Sequence, residues 1–309
     1  MSDAVGDVVH MDRPMAAIGM RLVAGLLFGI MFAAIKLSGE HGVGLIEAMF
    51  YRNLIACPLV LCWVAARRGV GALRTQHIGR HVTRAGVGLF GMCFTFGSYR
   101  MLPLAEATTI SFTVPIFATI LAVVFLREQV RIHRWSAVLV GFVGVLLVTR
   151  PGSGSIPLLG ALVALMSALM ISVISLQLRQ LGRTEAATTT TFYFSLFGTI
   201  ALLPAMPFVF APHDAGTWGI IIVIGIVGGL AQMAGSASLR LGAVSLVVAM
   251  DYAQLIWATL FGWLLFAQLP APTTWTGAPL IIASGLYIAW REHKRKTAIS
   301  GSLPKEGVL

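Results

Sequence analysis

The sequence contains few charged residues. Of its 309 residues, 11% are charged and 57% are hydrophobic, and the mean hydropathy is +0.87. A soluble domain has roughly 25% charged residues, so this chain lacks the polar side chains needed to cover a surface that faces water. The composition excludes an ordinary soluble protein and predicts an integral membrane protein that contacts the lipid bilayer.

Cysteine and catalytic motifs are also scarce. Cys57, Cys62 and Cys93 all lie in apolar segments and are interpreted as small packing residues. His77 and His81 have the spacing of two metal ligands on a helix, but they lie among arginines with no carboxylate beside them. The chain has no H-E-x-x-H motif, nucleophile elbow or phosphate-binding glycine loop. We therefore expect no enzyme activity, no metal site and no cofactor.

Long apolar runs dominate what is present. A run of about 20 apolar residues is long enough to cross the bilayer core as a helix. Such runs predict an all-α polytopic membrane protein with ten transmembrane helices. The predicted spans are 15–38, 45–66, 84–101, 107–126, 133–149, 158–178, 189–210, 217–238, 244–266 and 272–290. Residues 291–309 are polar and basic, which predicts a disordered cytoplasmic tail.

The net charge of +10 invites comparison with nucleic-acid-binding proteins, but its distribution argues for another origin. Of the 22 Lys and Arg residues, 18 lie at the N-terminal side, in alternate loops and in the tail. The opposite loops hold only Lys36, Arg100 and Arg150. This is the positive-inside pattern. It predicts a multi-pass protein of the inner membrane with both termini cytoplasmic and no nucleic-acid partner.

The chain also resembles itself at an offset of 140 residues. Ser98 aligns with Ser238, and Trp135 aligns with Trp275. The order of helices 2 to 5 is kept on helices 7 to 10, which predicts two repeats, 15–149 and 158–290. Because each repeat has five helices, the second must be inverted relative to the first. Inverted repeats are typical of secondary transporters, which hold substrate between the two halves.

Four segments also resemble a known family, the EamA-type ten-helix transporters of the drug/metabolite transporter (DMT) superfamily. They are AAIK at 33–36, FYRNLIA at 50–56, PLAEATTISFTVPIFATILAVVFLRE at 103–128 and WSAVLVGFVGVLLVTRPG at 135–152. The resemblance implies two inverted five-helix repeats. The first half looks like the branch that moves riboflavin, S-adenosylmethionine or amino-acid-derived metallophores. The second half departs from the family, with Gln254-Leu255 in place of Glu-Pro and Gln268 in place of a closing Glu.

These patterns predict a secondary transporter, a permease or exporter working by alternating access, with protons as a candidate coupling ion. The expected substrate is a small polar metabolite with an anionic group, similar to an amino acid, S-adenosylmethionine or riboflavin. The alternative is a membrane protein without transport activity of this kind, such as a channel subunit or a membrane enzyme. The sequence leaves open the substrate, the direction of transport, the coupling ion and the choice between monomer and homodimer.

Ionisable residues inside membrane spans are candidates for function. Arg52 lies in helix 2, and Lys36, Glu47, Arg100 and Glu106 lie at the same ends of helices 1 to 4. This cluster has one more cation than anion, so a substrate carboxylate or phosphate could complete it. The alternatives for Arg52 are a structural ion pair or a side chain that extends outward to the membrane surface.

Helix 4 has a polar stripe of Glu106, Thr109 and Thr113. Glu106 is expected either to pair with Arg100 and close an outer gate, or to contact substrate. Pro115 is expected to kink the helix.

In the second half, Asp251 is the candidate for proton coupling. Its alternatives are pairing with Arg240 or exposure at the cytoplasmic interface. Gln177 occupies the position that corresponds to Lys36, and Tyr252 and Trp257 flank Gln254 where they could stack on a flat substrate. The predicted substrate-binding residues are Lys36, Arg52, Tyr99, Arg100, Glu106, Thr109, Thr113, Gln177, Tyr252, Gln254 and Trp257.

Overall fold

The computed structural model describes residues 14–126, 132–150, 156–181, 184–241 and 250–301. Within these ranges the chain is helical and contains no strand. The helices are α1 Pro14–Glu40, α2 Leu45–Arg68, α3 Ile78–Met101, α4 Leu104–Ser111, α5 Val114–Leu126, α6 Ile132–Thr149, α7 Leu158–Leu181, α8 Ala187–Leu202, α9 Met206–Val209, α10 Ala215–Leu241, α11 Gln254–Phe266 and α12 Pro272–Gly301. Short 3₁₀ turns occupy Val70–Leu73, Leu203–Ala205 and Met250–Ala253.

The helices have the length and surface of membrane spans. Six described segments are long and apolar enough to cross a bilayer: Met15–Glu40, Leu45–Arg68, Leu104–Leu121, Leu158–Leu178, Ala187–Val209 and Ala215–Ser238. On α6, Leu139, Val143 and Leu146 are at least half exposed, which suits contact with lipid better than with water. The predicted all-α polytopic membrane protein is confirmed, while the number of ten spans stays a prediction.

The predicted fourth span is interrupted. Helix α4 ends at Ser111 and α5 begins at Val114, immediately before Pro115, which has no N–H to continue the ladder of backbone hydrogen bonds. The carbonyl of Ile110 accepts from both the backbone N–H of Thr113 at 3.0 Å and the Thr113 hydroxyl at 2.7 Å, which closes a tight turn at the break. The kink expected from proline is therefore a full break in the helix.

Other boundaries also differ from those predicted. Helix α3 begins at Ile78, six residues before the predicted span, and α12 continues to Gly301, so residues 291–301 of the predicted disordered tail are helical. Residues 302–309 lie outside the described part of the chain, as do residues 244–249 at the start of the predicted ninth span.

The helices pair in a pattern that exchanges the first half, α1–α6, with the second, α7–α12. Helix α10 of the second half contacts α1 and α2 of the first half. In the same way, α3 of the first half contacts α7 and α8 of the second. Helix α1 also contacts α11, and its counterpart α7 contacts α4 and α5. Three further contacts join a helix to the corresponding helix of the other half: α2–α8, α4–α11 and α6–α12. This exchange is what a two-fold axis between two similar halves produces.

Glycines bring the two halves close together. A Cβ added at Gly277 of α12 would lie 2.5 Å from the carbonyl oxygen of Gly144 on α6. On α10, a Cβ at Gly225 would lie 2.5 Å from Ile55, and one at Gly229 would lie 2.9 Å from Leu59. Small residues at such positions let helix backbones approach closely, as is common in membranes.

Two ends of the bundle frame the site. The first end carries the turn 41–44, the segment 210–214 and the start of α12; the second end carries the start of α1 and the segments 69–77 and 184–186. At the first end, the Asp214 carboxylate caps α10 by accepting hydrogen bonds from the Thr217 hydroxyl and from the backbone N–H groups of Thr217 and Gly216. These hydrogen bonds, that of the Thr217 hydroxyl above all, lower the pKa of Asp214, so the cap persists into acidic conditions.

Candidate functional site

Arg52 points into the protein. Its side chain is 3% exposed. It donates from Nη1 to Asn53 Oδ1 at 3.1 Å and from Nη2 to Gln232 Oε1 at 2.5 Å. Gln232 lies one turn along α10 from Gly228, whose added Cβ would stand 3.4 Å from Arg52 Nε. The guanidinium therefore extends away from the first end, and outward extension to the membrane surface is wrong as an account of Arg52.

A second arginine meets Arg52 inside the bundle. Arg84, the first residue of the predicted third span, lies in α3 and is 5% exposed. Its Cζ atom lies 4.8 Å from the ring centre of Phe194, and that of Arg52 lies 5.4 Å from the same ring. Arg52 is about two turns into α2 from the first end and Arg84 about two turns into α3 from the second, so they meet deep in the membrane region.

Donor groups of this arginine pair lack partners. Arg52 Nε and Arg84 Nε and Nη1 are buried and make no hydrogen bond to any described part of the chain. Among the described residues neither guanidinium forms an ion pair with a carboxylate. Gly88, one turn after Arg84, leaves the room that Arg84 and Phe194 occupy: a Cβ there would collide with Arg84 Nη1 and stand 2.6 Å from the Phe194 ring.

The other predicted cations lie at the first end, apart from Arg52. Lys36 is buried, donates to the carbonyl of Leu102 at 2.7 Å and lies over the Phe266 ring at 5.4 Å. Arg100 donates to Ser38 Oγ at 3.2 Å. The contacts described for Arg52 are instead with Asn53, Gln232 and Phe194, and a shared site for all five residues stays a prediction.

Glu106 binds the start of α12 and makes no ion pair with Arg100 among the described contacts. Its Oε1 accepts from the Ala271 N–H at 2.8 Å and from the Thr274 hydroxyl at 3.1 Å, while Oε2 is buried without a partner. The free N–H groups at a helix start favour a carboxylate, which is why Glu106 turns to α12. Thr109, on the same stripe, is buried with an unpartnered hydroxyl.

A narrow internal void lies between the halves. It is lined by Gly29 and Phe32 of α1, Tyr99 of α3, Leu104 and Thr108 of α4, and Gln254 and Ala258 of α11. The Phe32 and Tyr99 rings stack with centres 3.9 Å apart, and the Tyr99 hydroxyl lies 3.1 Å from Thr108 Oγ1. Tyr99 and Gln254 thus line one void, in a state with no room for a metabolite.

The two other predicted aromatic residues pack against neighbours. Tyr252 meets Phe112 edge to face at 4.8 Å, and its hydroxyl fills the place of the missing Cβ at Gly285. The Cβ of Trp257 lies 3.0 Å from the position of an added Cβ at Gly29. In this state neither ring is free to stack on a ligand.

Gln177 lies away from these groups, in a cavity of about 380 Å³ at the second end. The cavity is lined by Arg80, Thr83, Gln177, Gln180, Leu181 and Thr184. Gln177 Oε1 is buried without a partner, so the residue borders a polar vestibule.

Polar contacts tie the halves together at both ends. At the first end, His213 Nε2 lies 2.9 Å from Oε1 of the fully buried Glu47. At the second end, Arg21 binds both carboxylate oxygens of Asp251, with Nη2 to Oδ2 at 2.6 Å. The predicted alternative partner of Asp251, Arg240, has a side chain outside the described part of the structure.

Comparison with known proteins identifies the family. A sequence model of the EamA-like transporter family matches residues 15–150 and 158–290. The chain is 28% identical to a riboflavin transporter of Vibrio cholerae, covering 89% of this chain and 93% of that protein. It is 25% identical to a pseudopaline exporter of Pseudomonas aeruginosa, covering 89% and 96%. A solved crystal structure shares the fold with a TM-score of 0.62 at 19% identity, covering 89% of this chain and 97% of the other. The chain belongs to the EamA-like transporter family of small-molecule transporters.

Proposed function

We propose that this protein is a secondary transporter of the inner membrane that works by alternating access. Its halves, 15–149 and 158–290, are inverted repeats, and both termini lie in the cytoplasm. The first end then faces the periplasm and the second end faces the cytoplasm. The exchange of helix partners between the halves supports this arrangement.

The observation that carries the proposal is the pair of polar contacts that join the halves at opposite ends. Glu47–His213 closes the first end, and Arg21–Asp251 closes the second. Between them lie a collapsed void and two unpaired arginines, so the site is shut off from both sides. A carrier passes through such an occluded state when one gate opens only after the other has closed.

The substrate is proposed to be a small polar metabolite with an anionic group. The negative charge of the substrate is supported by buried cations that form no described ion pair with a carboxylate. Its small size is supported by the similarity to a riboflavin transporter and a pseudopaline exporter. Tyr99, Gln254, Thr109 and Lys36 are proposed to contact it once the void opens. Proton coupling through Asp251 is part of the same proposal.

The test is to lock each gate in turn. Two double-cysteine variants are made in a background whose three native cysteines are replaced by serine. They are Glu47→Cys with His213→Cys, and Arg21→Cys with Asp251→Cys. Each variant is treated with a reducible thiol cross-linker. Flux of labelled riboflavin, flavin mononucleotide, S-adenosylmethionine and glutamate is then measured in proteoliposomes. Each lock alone should stop saturable flux, and reductant should restore it.

A matched control joins two residues of the same half. Arg67→Cys with Gly71→Cys lies at the second end, and its cross-link should leave flux unchanged. Flux that continues with either gate locked, or that rises without saturation, would favour a channel and contradict the proposal.

A further inference from the structure

We infer that Arg52 and Arg84 together form a binding site for a group with two negative charges, such as the phosphate of a phosphate monoester. The inference rests on the proposed function and makes it more specific, because it requires a substrate with a dianionic end. It includes a residue, Arg84, that is not among the substrate-binding residues predicted from the sequence.

The first argument is the cost of the site when empty. Two guanidinium groups are buried against the ring of Phe194 and repel each other where little water screens them. Burying a charge without a counter-ion carries a large desolvation cost. The contact with Phe194 offsets part of that cost for each arginine, and for Arg52 the hydrogen bonds to Asn53 and Gln232 offset more of it. The arrangement is costly unless an anion binds there for part of the transport cycle.

The second argument is the number and type of free donors. Three buried nitrogens, Arg52 Nε and Arg84 Nε and Nη1, have no acceptor among the described residues. A phosphate monoester brings three acceptor oxygens and a charge of about −1.5 to −2 at neutral pH. Each of these N–H groups can donate a charge-assisted hydrogen bond to a phosphate oxygen. A single carboxylate would leave one of the two positive charges uncompensated.

The third argument is the way the protein positions the two arginines. Asn53 and Gln232 each accept one hydrogen bond from Arg52, which fixes the plane of its guanidinium without using Nε. Gly88 and Gly228 lack the side chains that would displace Arg84 and crowd Arg52. The residues come from α2, α3, α8 and α10, so both halves contribute and their movement would open the site.

Binding to the purified full-length chain tests the inference without requiring transport. Thermal shift and calorimetry in a neutral detergent would compare flavin mononucleotide with riboflavin, phosphoserine with serine, and inorganic phosphate alone. The phosphate-bearing member of each pair should bind more tightly by roughly tenfold or more, as expected for charged hydrogen bonds. Arg84→Gln should remove this preference, while Arg84→Lys should keep part of it.

The matched control is Arg67→Gln, which removes an exposed arginine from the last turn of α2 and should leave the preference intact. Equal binding of both members of each pair would overturn the inference, as would an unchanged preference in Arg84→Gln. A lipid headgroup is a second source of phosphate. Stabilisation by phosphatidylglycerol in nanodiscs, with none by the soluble phosphates, would also overturn it.

The two proposals fail in different ways. If locking the gates stops flux of neutral riboflavin but no dianion binds, alternating access stands and the dianion site is wrong. If the dianions bind through Arg84 but no flux saturates, the site stands and the transport mechanism is wrong.

Discussion

Arg21 and Asp251, 230 residues apart in sequence, join α1 to the turn before α11 through two hydrogen bonds between one guanidinium and one carboxylate. The two side chains are 20% and 35% exposed, so the pair lies at an edge that water reaches. At such a site an ion pair contributes about 1 kcal/mol or less to stability. Its role is therefore better sought in gating and coupling than in folding.

Asp251→Asn should abolish accumulation driven by a pH gradient while leaving exchange without a gradient intact. Asparagine keeps the shape of the side chain but cannot carry a proton. The measurement is uptake into proteoliposomes with and without an imposed gradient. Arg21→Gln breaks the same ion pair but keeps the carboxylate, so it should still respond to the gradient. A wild-type response in Asp251→Asn would limit Asp251 to the gate.

Glu106→Ala should lower the free energy of unfolding by about 1–3 kcal/mol, because the Ala271 N–H and the Thr274 hydroxyl lose their buried acceptor. Glu106→Gln keeps one acceptor oxygen and should cost less. Thermal unfolding in detergent measures both. Glu40→Ala removes an exposed acid at the end of α1 and serves as the control. Equal losses for Ala and Gln would mean that the charge, and not the hydrogen bonds, holds α12.

Gly88→Ala should displace the Arg84 guanidinium from the Phe194 ring and weaken binding of an anionic substrate. The added Cβ would meet both side chains. Gly86→Ala makes the same change two residues earlier on α3, where nothing lies within 4 Å, and should be silent. The comparison is made by calorimetry with flavin mononucleotide. Equal affinity in both variants would show that Arg84 can move aside without loss.

The topology can be tested directly. Reporter fusions after Pro212 should report the periplasm, and fusions after Gly182 should report the cytoplasm. The reason is that arginines concentrate at the second end, on the side predicted to be cytoplasmic. Both fusions on the same side, or the reverse assignment, would contradict the inverted repeats and the placement of the gates.

The sequence predicts the helices well and their partners poorly. Apolar runs locate the described spans, and Pro115 locates the break between α4 and α5. The contact of Glu106 with the start of α12 spans 165 residues, and no local pattern indicates it. Charge signs suggested Arg100 as the partner of Glu106, but free backbone donors at a helix start compete equally well for a carboxylate.

Arg84 was missed for a different reason. The predicted third span begins at Arg84, and an arginine at the border of a span is expected at the membrane surface, whereas α3 begins six residues earlier and carries Arg84 inside the bundle. One signal was available in the sequence: Arg84 and Gly88 are one helical turn apart, an arrangement that leaves room for a long side chain to fold inward. Arg52 was found because apolar residues surround it on both sides.

The final prediction concerns Arg52→Lys. The guanidinium donates hydrogen bonds from Nη1 to Asn53 and from Nη2 to Gln232, and its Nε has no acceptor among the described residues. Lysine keeps the charge but has a single nitrogen, so it cannot hold both neighbours in place and also present a separate donor to an anion. Affinity for flavin mononucleotide should fall by roughly tenfold or more, and thermal stability should stay near that of the wild type.

Arg52→Gln should bind still less well, because it also removes the charge, yet it should fold at least as stably since one buried cation is gone. Arg67→Lys is the matched control on the exposed end of α2. Wild-type affinity in Arg52→Lys would mean that only the positive charge matters. In that case the hydrogen bonds from Arg52 to Asn53 and Gln232 position Arg52 for packing, and recognition of the anion falls to Arg84 alone.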